Sequence, residues 1–188
     1  MISPSDEVVA RGRLVIVRRK RLADAANEYG WRSDQELARY DAAAVVRVTF
    51  ADFYRNWVVQ LRFTDMGQRS FAVEDARGRH IGNVMYYNLD PEQQQAELGI
   101  CIGEKRFWAH GYGSDAVATM VRYVFSRTSL RRLYLHTLEW NLRAQRCFSK
   151  AGFEPCATSW RDGETFVVMD VWRERVVAAR EVSRALVR

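Results

Sequence analysis

Apolar and polar positions alternate along the chain in short blocks, and the period of each block assigns its element. The run Leu14-Val15-Ile16-Val17 predicts a first strand near Arg13–Arg18. Leu22–Arg32 reads as a helix, with Ala23, Ala25 and Ala26 as good formers. The pattern breaks and restarts at Trp31–Leu37, with Ser33 as the N-cap and Glu36 three residues on, a capping box. Thr49–Phe63 is a further helix whose aromatics Phe50, Phe53, Tyr54 and Trp57 recur at helical spacing and are assigned to the core. Strands follow at Ser70–Glu74, His80–Asn88 and Ala96–Ile102, separated by the turn sequences Asp75-Ala76-Arg77-Gly78 and Asp90-Pro91-Glu92. Gly111–Ser126 is a helix, Arg132–Glu139 a strand, and Asn141–Ala151 a helix ended by Gly152. Phe153–Trp160 and Thr165–Trp172 make a last hairpin around Arg161-Asp162-Gly163. The order predicts a mixed α/β (α+β) sheet of six to seven strands, mostly antiparallel, with one central parallel pair and flanking helices.

A chain of 188 residues fits one domain, here 1–172, followed by a basic tail, 173–188, that is expected to be helical and to pack on the domain or on a second subunit of a homodimer. No repeat is visible, and no apolar run approaches the roughly 20 residues that span a bilayer. The opening Met1-Ile2-Ser3-Pro4-Ser5-Asp6-Glu7 is acidic and leads to no signal-type apolar region, so a soluble cytoplasmic protein is expected. Cys101, Cys147 and Cys156 form no C-x-x-C pair, and His80, His110 and His136 are scattered, which argues against a disulfide framework and against a metal site. The formal charge of +6 favours a polyanionic partner, either nucleic acid or a multiply phosphorylated cofactor. The basic run Arg18-Arg19-Lys20-Arg21 directly follows an apolar strand and reads as its solvated end. The other arginines are spread along the chain, which disfavours nucleic acid.

The most informative segment runs from Ala96 to Ala116. A strand feeds a loop, and Gly111 and Gly113 sit where a helix begins. Glycines there let backbone approach a ligand, and the unpaired N–H groups of a helix start suit a pyrophosphate. The loop lacks the Gly-Lys-Ser/Thr ending of a Walker loop and is not G-x-G-x-x-G.

The loop Trp108-Ala109-His110-Gly111-Tyr112-Gly113 resembles the (Gln/Arg)-x-x-Gly-x-(Gly/Ala) motif of the GNAT acetyltransferase superfamily, with Trp108 departing from the usual first residue. Its Trp-x-x-Gly-Tyr form is similar to the branch of RimJ/RimL-like N-terminal acetyltransferases and spermidine acetyltransferases. Asn141 to Phe153 resembles the family's Asn-x-x-(Ser/Ala)-x-x-x-Tyr-x-x-x-Gly-Phe, and the opening Trp31-Arg32-Ser33-Asp34-Gln35-Glu36 resembles this branch too. The resemblance implies acetyl-CoA as co-substrate. Ile100, Cys101 and Ile102 would hydrogen-bond its pantetheine arm, with Gly99 marking a bulge that splays the strand from its neighbour. His110, Gly111, Tyr112, Gly113 and Ser114 would cradle the pyrophosphate through backbone N–H groups, Trp108 at the head of the loop would be a further cofactor contact, and Asn141 would bond the pantetheine.

At the family's tyrosine general-acid position stands Phe148, which packs against the acyl arm but has no proton to give. Glu97 and His136 are the candidate bases that take the proton of an attacking ammonium. Trp31, Asp34, Glu36 and Glu139 are candidate acceptor contacts, and Asp41 adds to an acidic surround. The expected reaction is acetyl transfer to a primary amine, with a protein N-terminus, a polyamine or another small amine as acceptor. The competing reading is a CoA sensor or nucleic-acid-associated protein with little catalysis.

Overall fold

The computed structural model describes residues 8–62 and 69–178. Eight strands form one sheet in the order β1-β2-β3-β4-β5-β6-β8-β7. These are β1 (Val8–Arg11), β2 (Val15–Arg19), β3 (Arg69–Asp75), β4 (His80–Asp90), β5 (Gln95–Cys101), β6 (Arg132–Leu138), β7 (Glu154–Arg161) and β8 (Glu164–Trp172). Every pairing is antiparallel except β5 with β6, the expected central parallel pair. The strand beyond the expected six to seven is β1. It is only four residues long, too short for a periodic pattern to mark it.

Helices α1 (Ala25–Ser33), α2 (Gln35–Tyr40), α3 (Phe50–Arg62), α4 (Tyr112–Arg127) and α5 (Leu142–Lys150) flank the sheet. Val117, Met120, Val121 and Val124 of α4 pack with Val84, Leu98, Leu133 and Leu135 of the strands into the main core. A smaller cluster of Ala25, Phe53 and Trp57 joins α1 to α3. Only Phe53 and Trp57 of the four α3 aromatics are core; Phe50 and Tyr54 are exposed, because they stand on the outer side of the same helix. The chain continues as helix over 173–178. The rest of the expected tail helix, Phe63 at the end of the expected third helix, and the acidic start before Val8 lie outside the described residues. Among the described residues no helix is long and apolar enough to cross a membrane.

The cap that starts α2 is Asp34, not Ser33. Asp34 accepts from the N–H groups of Glu36 and Leu37 at 2.8 and 3.0 Å. Ser33 ends α1, and its buried hydroxyl has no hydrogen-bond partner. Both residues are common caps, and only the bend between the helices decides which one stands outside them. The start of α1 is fixed by Arg18, whose guanidinium grips the Asp24 carboxylate with two 2.8 Å bonds and also binds Glu74. Burial alone would raise the Asp24 carboxyl, but the paired arginine outweighs it and holds the group below its ordinary value. That anchor places α1 and α2 beside the open part of the sheet.

Candidate functional site

The parallel ladder between β5 and β6 stops early. Gln95, Ala96 and Glu97 pair with Arg132, Leu133 and Tyr134, and beyond them the two strands have no register. The gap opens into a cleft of about 750 Å³. Gly99 is not a bulge: its pairing with Met85 on β4 is regular, and the irregularity lies between Tyr87 and Asp90. A side chain at Gly99 would meet Met85 and Tyr87 at 3.3 Å, so glycine keeps this wall of the cleft open.

The cleft has two sides, set by strand alternation. Ile100 and Ile102 turn toward the core with α4. Glu97, Gly99 and Cys101 turn the other way, opposite Tyr87, Met85 and Asn83 of β4. On β6 His136 stands two residues beyond Tyr134, the partner of Glu97, and so shares that face.

On the α4 side, Gly111 is the N-cap, with φ of 87°. Ala109, two residues before it, is also left-handed, with φ of 62°. A non-glycine residue held there costs roughly 1–3 kcal/mol, and such strain gathers where a ligand is bound. The first helical bond runs from Asp115 N–H to the Gly111 carbonyl, so the N–H groups of Tyr112, Gly113 and Ser114 precede the ladder. The Asp115 carboxylate accepts from Leu14 and Val15 N–H at 2.7 and 3.1 Å, which ties this helix start to the β1–β2 turn. Arg143, Arg146 and Lys150 line the cleft from one face of α5. The Arg143 guanidinium lies over Trp108 at 3.6 Å and Tyr40 at 4.4 Å. The Trp108 indole donates to the Ile102 carbonyl at 2.6 Å, holding the loop to the end of β5. Asn141 caps α5 through its own side chain at 3.2 Å from Ala144 N–H and borders the cleft. Phe148 is buried against Phe153, with one edge on the cleft.

On the opposite side, His136 Nδ1 lies 2.8 Å from Glu97 Oε1. Asn88 donates to Glu97 Oε2 at 2.9 Å, and Tyr87 stands opposite Glu97 in the β4–β5 register. Glu97 is buried and does not border the cleft, whereas His136 does. The two candidate bases are therefore one pair. A carboxylate that receives Nδ1–H leaves Nε2 as the lone-pair nitrogen toward the cleft.

Asp41 follows α2 and lines the cleft beside Cys101. It is reached by solvent, yet the surrounding protein penalises its charge and pushes its carboxyl up to about 6. The folded protein thus holds this proton more tightly than the unfolded chain, where aspartate titrates near about 3.9. The associated stability is full below that value and lost as pH rises through about 6. Asp41→Asn is expected to raise the melting temperature at pH 8 and to lose that advantage toward pH 4. Melting curves at both pH values check this, and a lower Tm for the variant at pH 8 would contradict it. Burial, and then the neighbouring Asp41 charge, push the Cys101 thiol up; burial does the same to Cys147. Both cleft thiols therefore stay protonated and are poor nucleophiles.

Several expected site residues stand elsewhere. Trp31 is buried with its ring against Gly103, where any side chain would overlap it, and edge-on to His80 at 4.7 Å. Asp34 and Glu36 both bind Lys105 at 2.7 Å, outside the cleft lining. Glu139 is exposed, and its carbonyl takes the Gln145 amide at 2.7 Å. The His110 ring is also exposed, with Nδ1 2.6 Å from the Trp108 carbonyl, and Tyr112 packs edge-on to Phe107. Neither lines the cleft; of the two, Tyr112 has a backbone N–H at the start of α4 that precedes the helical ladder. Ile100, Cys101, Ile102, Trp108, Gly111, Gly113, Ser114, Asn141, Phe148 and His136 do line it. Tyr40, Tyr87 and Arg143 also line the cleft, and no motif in the sequence marks them.

The family model for the acetyltransferase (GNAT) domain matches residues 13–154. The spermidine N(1)-acetyltransferase of Vibrio cholerae is 28% identical over 89 residues, which are 47% of this chain and 51% of that protein. The match thus spans about half the length of that relative. Among solved structures, the spermidine N-acetyltransferase of Vibrio cholerae in complex with CoA and spermine superposes with a TM-score of 0.75 at 18% identity, over 86% of this chain and 96% of that one. The aminoglycoside acetyltransferase AAC(6')-Ib in complex with coenzyme A gives 0.73 at 21% identity, over 88% and 99%. A GNAT-family acetyltransferase from Bacillus anthracis gives 0.73 at 18%, over 88% and 98%. These likenesses show a common fold.

Proposed function

The chain belongs to the GNAT acetyltransferase family, and we propose that it transfers the acetyl group of acetyl-CoA to a primary amine by direct attack on the thioester. Acetyl-CoA is the co-substrate, and the residues present fit it. The N–H groups at the start of α4 and the cations of α5 suit its phosphates. The side of β5 left without a strand partner beyond Glu97 suits the amide groups of its arm. Acetyl-CoA supplies an acyl group on a thiol whose pKa is about 8.5, a tolerable leaving group in neutral water.

The observation that carries this reading is the His136–Glu97 pair at the mouth of the strand gap. An amine arrives as an ammonium and must lose a proton before it attacks. His136 Nε2 takes that proton, directly or through a water. Glu97 acts through His136: it fixes the tautomer and stabilises the imidazolium that forms. Glu97 is thus a positioning residue rather than a base in its own right. The protonated state of Cys101 and Cys147 favours direct attack over an acyl-cysteine route. Release of CoA thiol with a panel of amines, beside calorimetry of CoA binding, tests the whole reading. Tight binding with no amine-dependent release would replace it by the second reading, a CoA-binding protein with little catalysis.

Phe148 is the observation that favours that second reading, because the cleft has a phenyl ring where a proton donor is usual in the family. The low pKa of the leaving thiol removes the need for a donor. Phe148→Tyr is therefore expected to change kcat by less than about tenfold, ~1.4 kcal/mol of barrier. A gain of orders of magnitude in steady-state assays would identify the parent as a transferase limited by thiolate departure. The same reading places the enzyme in the cytoplasm, where acetyl-CoA and free amines meet.

A further inference from the structure

The cleft is electrically divided, and the division bears on the acceptor. Its lining cations, Arg143, Arg146 and Lys150, all come from α5, the side assigned to CoA, and of these Arg143 reaches across to the Trp108 and Tyr40 rings. Asp41 is the one carboxylate among the described lining residues. It stands on the other side, beside Cys101 on the face of β5 that also carries Glu97. Among the described residues no lysine, arginine or histidine forms an ion pair with Asp41; its polar neighbour is a thiol, a weak donor. Around it the lining is apolar or aromatic: Leu37 and Tyr40 from α2, Met85 and Tyr87 from β4.

We propose that Asp41 is the ammonium anchor of the acceptor subsite, and that the acceptor is a primary amine with one positive charge beside an apolar group rather than a polycation. This deepens the acetyltransferase reading and rests on it. One carboxylate balances one ammonium. A second or third cation of a polyamine or aminoglycoside would find no further carboxylate among the described lining residues. Asp34 and Glu36, the acids nearest in sequence, are already paired with Lys105 outside the cleft. The apolar wall offers burial to a side chain or ring next to the amine, at about 25 cal/mol per Å². A small free amine and the N-terminus of a peptide that begins with an apolar residue share this chemistry.

The test compares initial rates for phenethylamine, a leucyl peptide amide, spermidine and kanamycin, with the parent and with Asp41→Asn. One of the two singly charged acceptors should exceed both polycations in kcat/KM by about tenfold or more, a margin one unmatched charge readily supplies. Whichever leads identifies the source as a free amine or a peptide N-terminus. Asp41→Asn should raise KM for the amine by about tenfold or more, with kcat and the Kd for CoA retained. A polycation as the best acceptor, an unchanged amine KM, or a CoA Kd that rises in step with KM would overturn the proposal. Calorimetry of phenethylamine binding to the CoA complex separates this inference from the activity itself. Binding lost in Asp41→Asn without turnover in the parent would keep the anchor and remove the acetyltransferase reading. Binding that Asp41→Asn leaves intact would remove the anchor.

Discussion

Replacing His136 by alanine is expected to lower kcat/KM by about 10²–10⁴-fold while CoA binds as in the parent, the usual scale for losing a general base. The expectation follows from the geometry of the pair. Both oxygens of Glu97 are engaged, one by His136 at 2.8 Å and the other by Asn88 at 2.9 Å. Only His136 reaches the cleft. The loss should shrink as pH rises toward the pKa of the acceptor amine, because the solution then supplies the free base unaided. Glu97→Gln tests the partner. A glutamine offers an N–H to Nδ1 and so favours the tautomer with its proton on Nε2, which cannot accept. Its rate should fall, its pH profile should move, and the double variant should be little worse than His136→Ala, since the two residues act as a unit. Parent-like rates for both single variants across about pH 6–9 would mean that the amine attacks without help, and the pair would lose its assigned role.

Gly111→Val is expected to weaken CoA binding by about 5- to 150-fold, the equivalent of the roughly 1–3 kcal/mol that a left-handed backbone costs a residue with a side chain. Gly111 is at φ of 87°, and a β-branched residue is least able to hold that conformation. A new Cβ would also touch Leu14 at 3.4 Å, so the strain is mainly conformational rather than a clash. If the loop relaxes to relieve it, the N–H groups of Tyr112, Gly113 and Ser114 turn away from the phosphates they would bind. Because the helix behind is held by Asp115 to the β1–β2 turn, the damage should stay local and the fold should survive. Calorimetric titration of CoA, with a melting curve as a control on folding, measures this. A folded variant with unchanged affinity would show that the helix start does not carry the cofactor.

The sheet was legible because short runs rich in β-branched and aromatic residues are punctuated by turn residues. The parallel pair followed from the strand–helix–strand stretch between Gln95 and Leu138. What escaped was local and geometric. The choice between Ser33 and Asp34 as cap depends on where two short helices bend apart, and no periodicity records that. Glu97 and His136 are 39 residues apart in sequence and were weighed as rivals. The register of a parallel ladder made them partners, and register across an intervening helix is not written in either strand. The acceptor wall was the least legible part. Trp31, Asp34 and Glu36 lie in the segment that resembles the family, yet a buried packing role and a lysine took them out of the cleft. Asp41 was visible only as one acid among several, and its isolation from cations appears once the chain is folded.

Acetyl transfer itself is the central claim, and mass spectrometry of the amine after incubation with acetyl-CoA tests it most directly. The account expects an amine that gains one acetyl group, one equivalent of free CoA thiol for each product formed, and a sharp reduction of both in His136→Ala. CoA released at the same rate with and without amine, and no acetylated product, would contradict it.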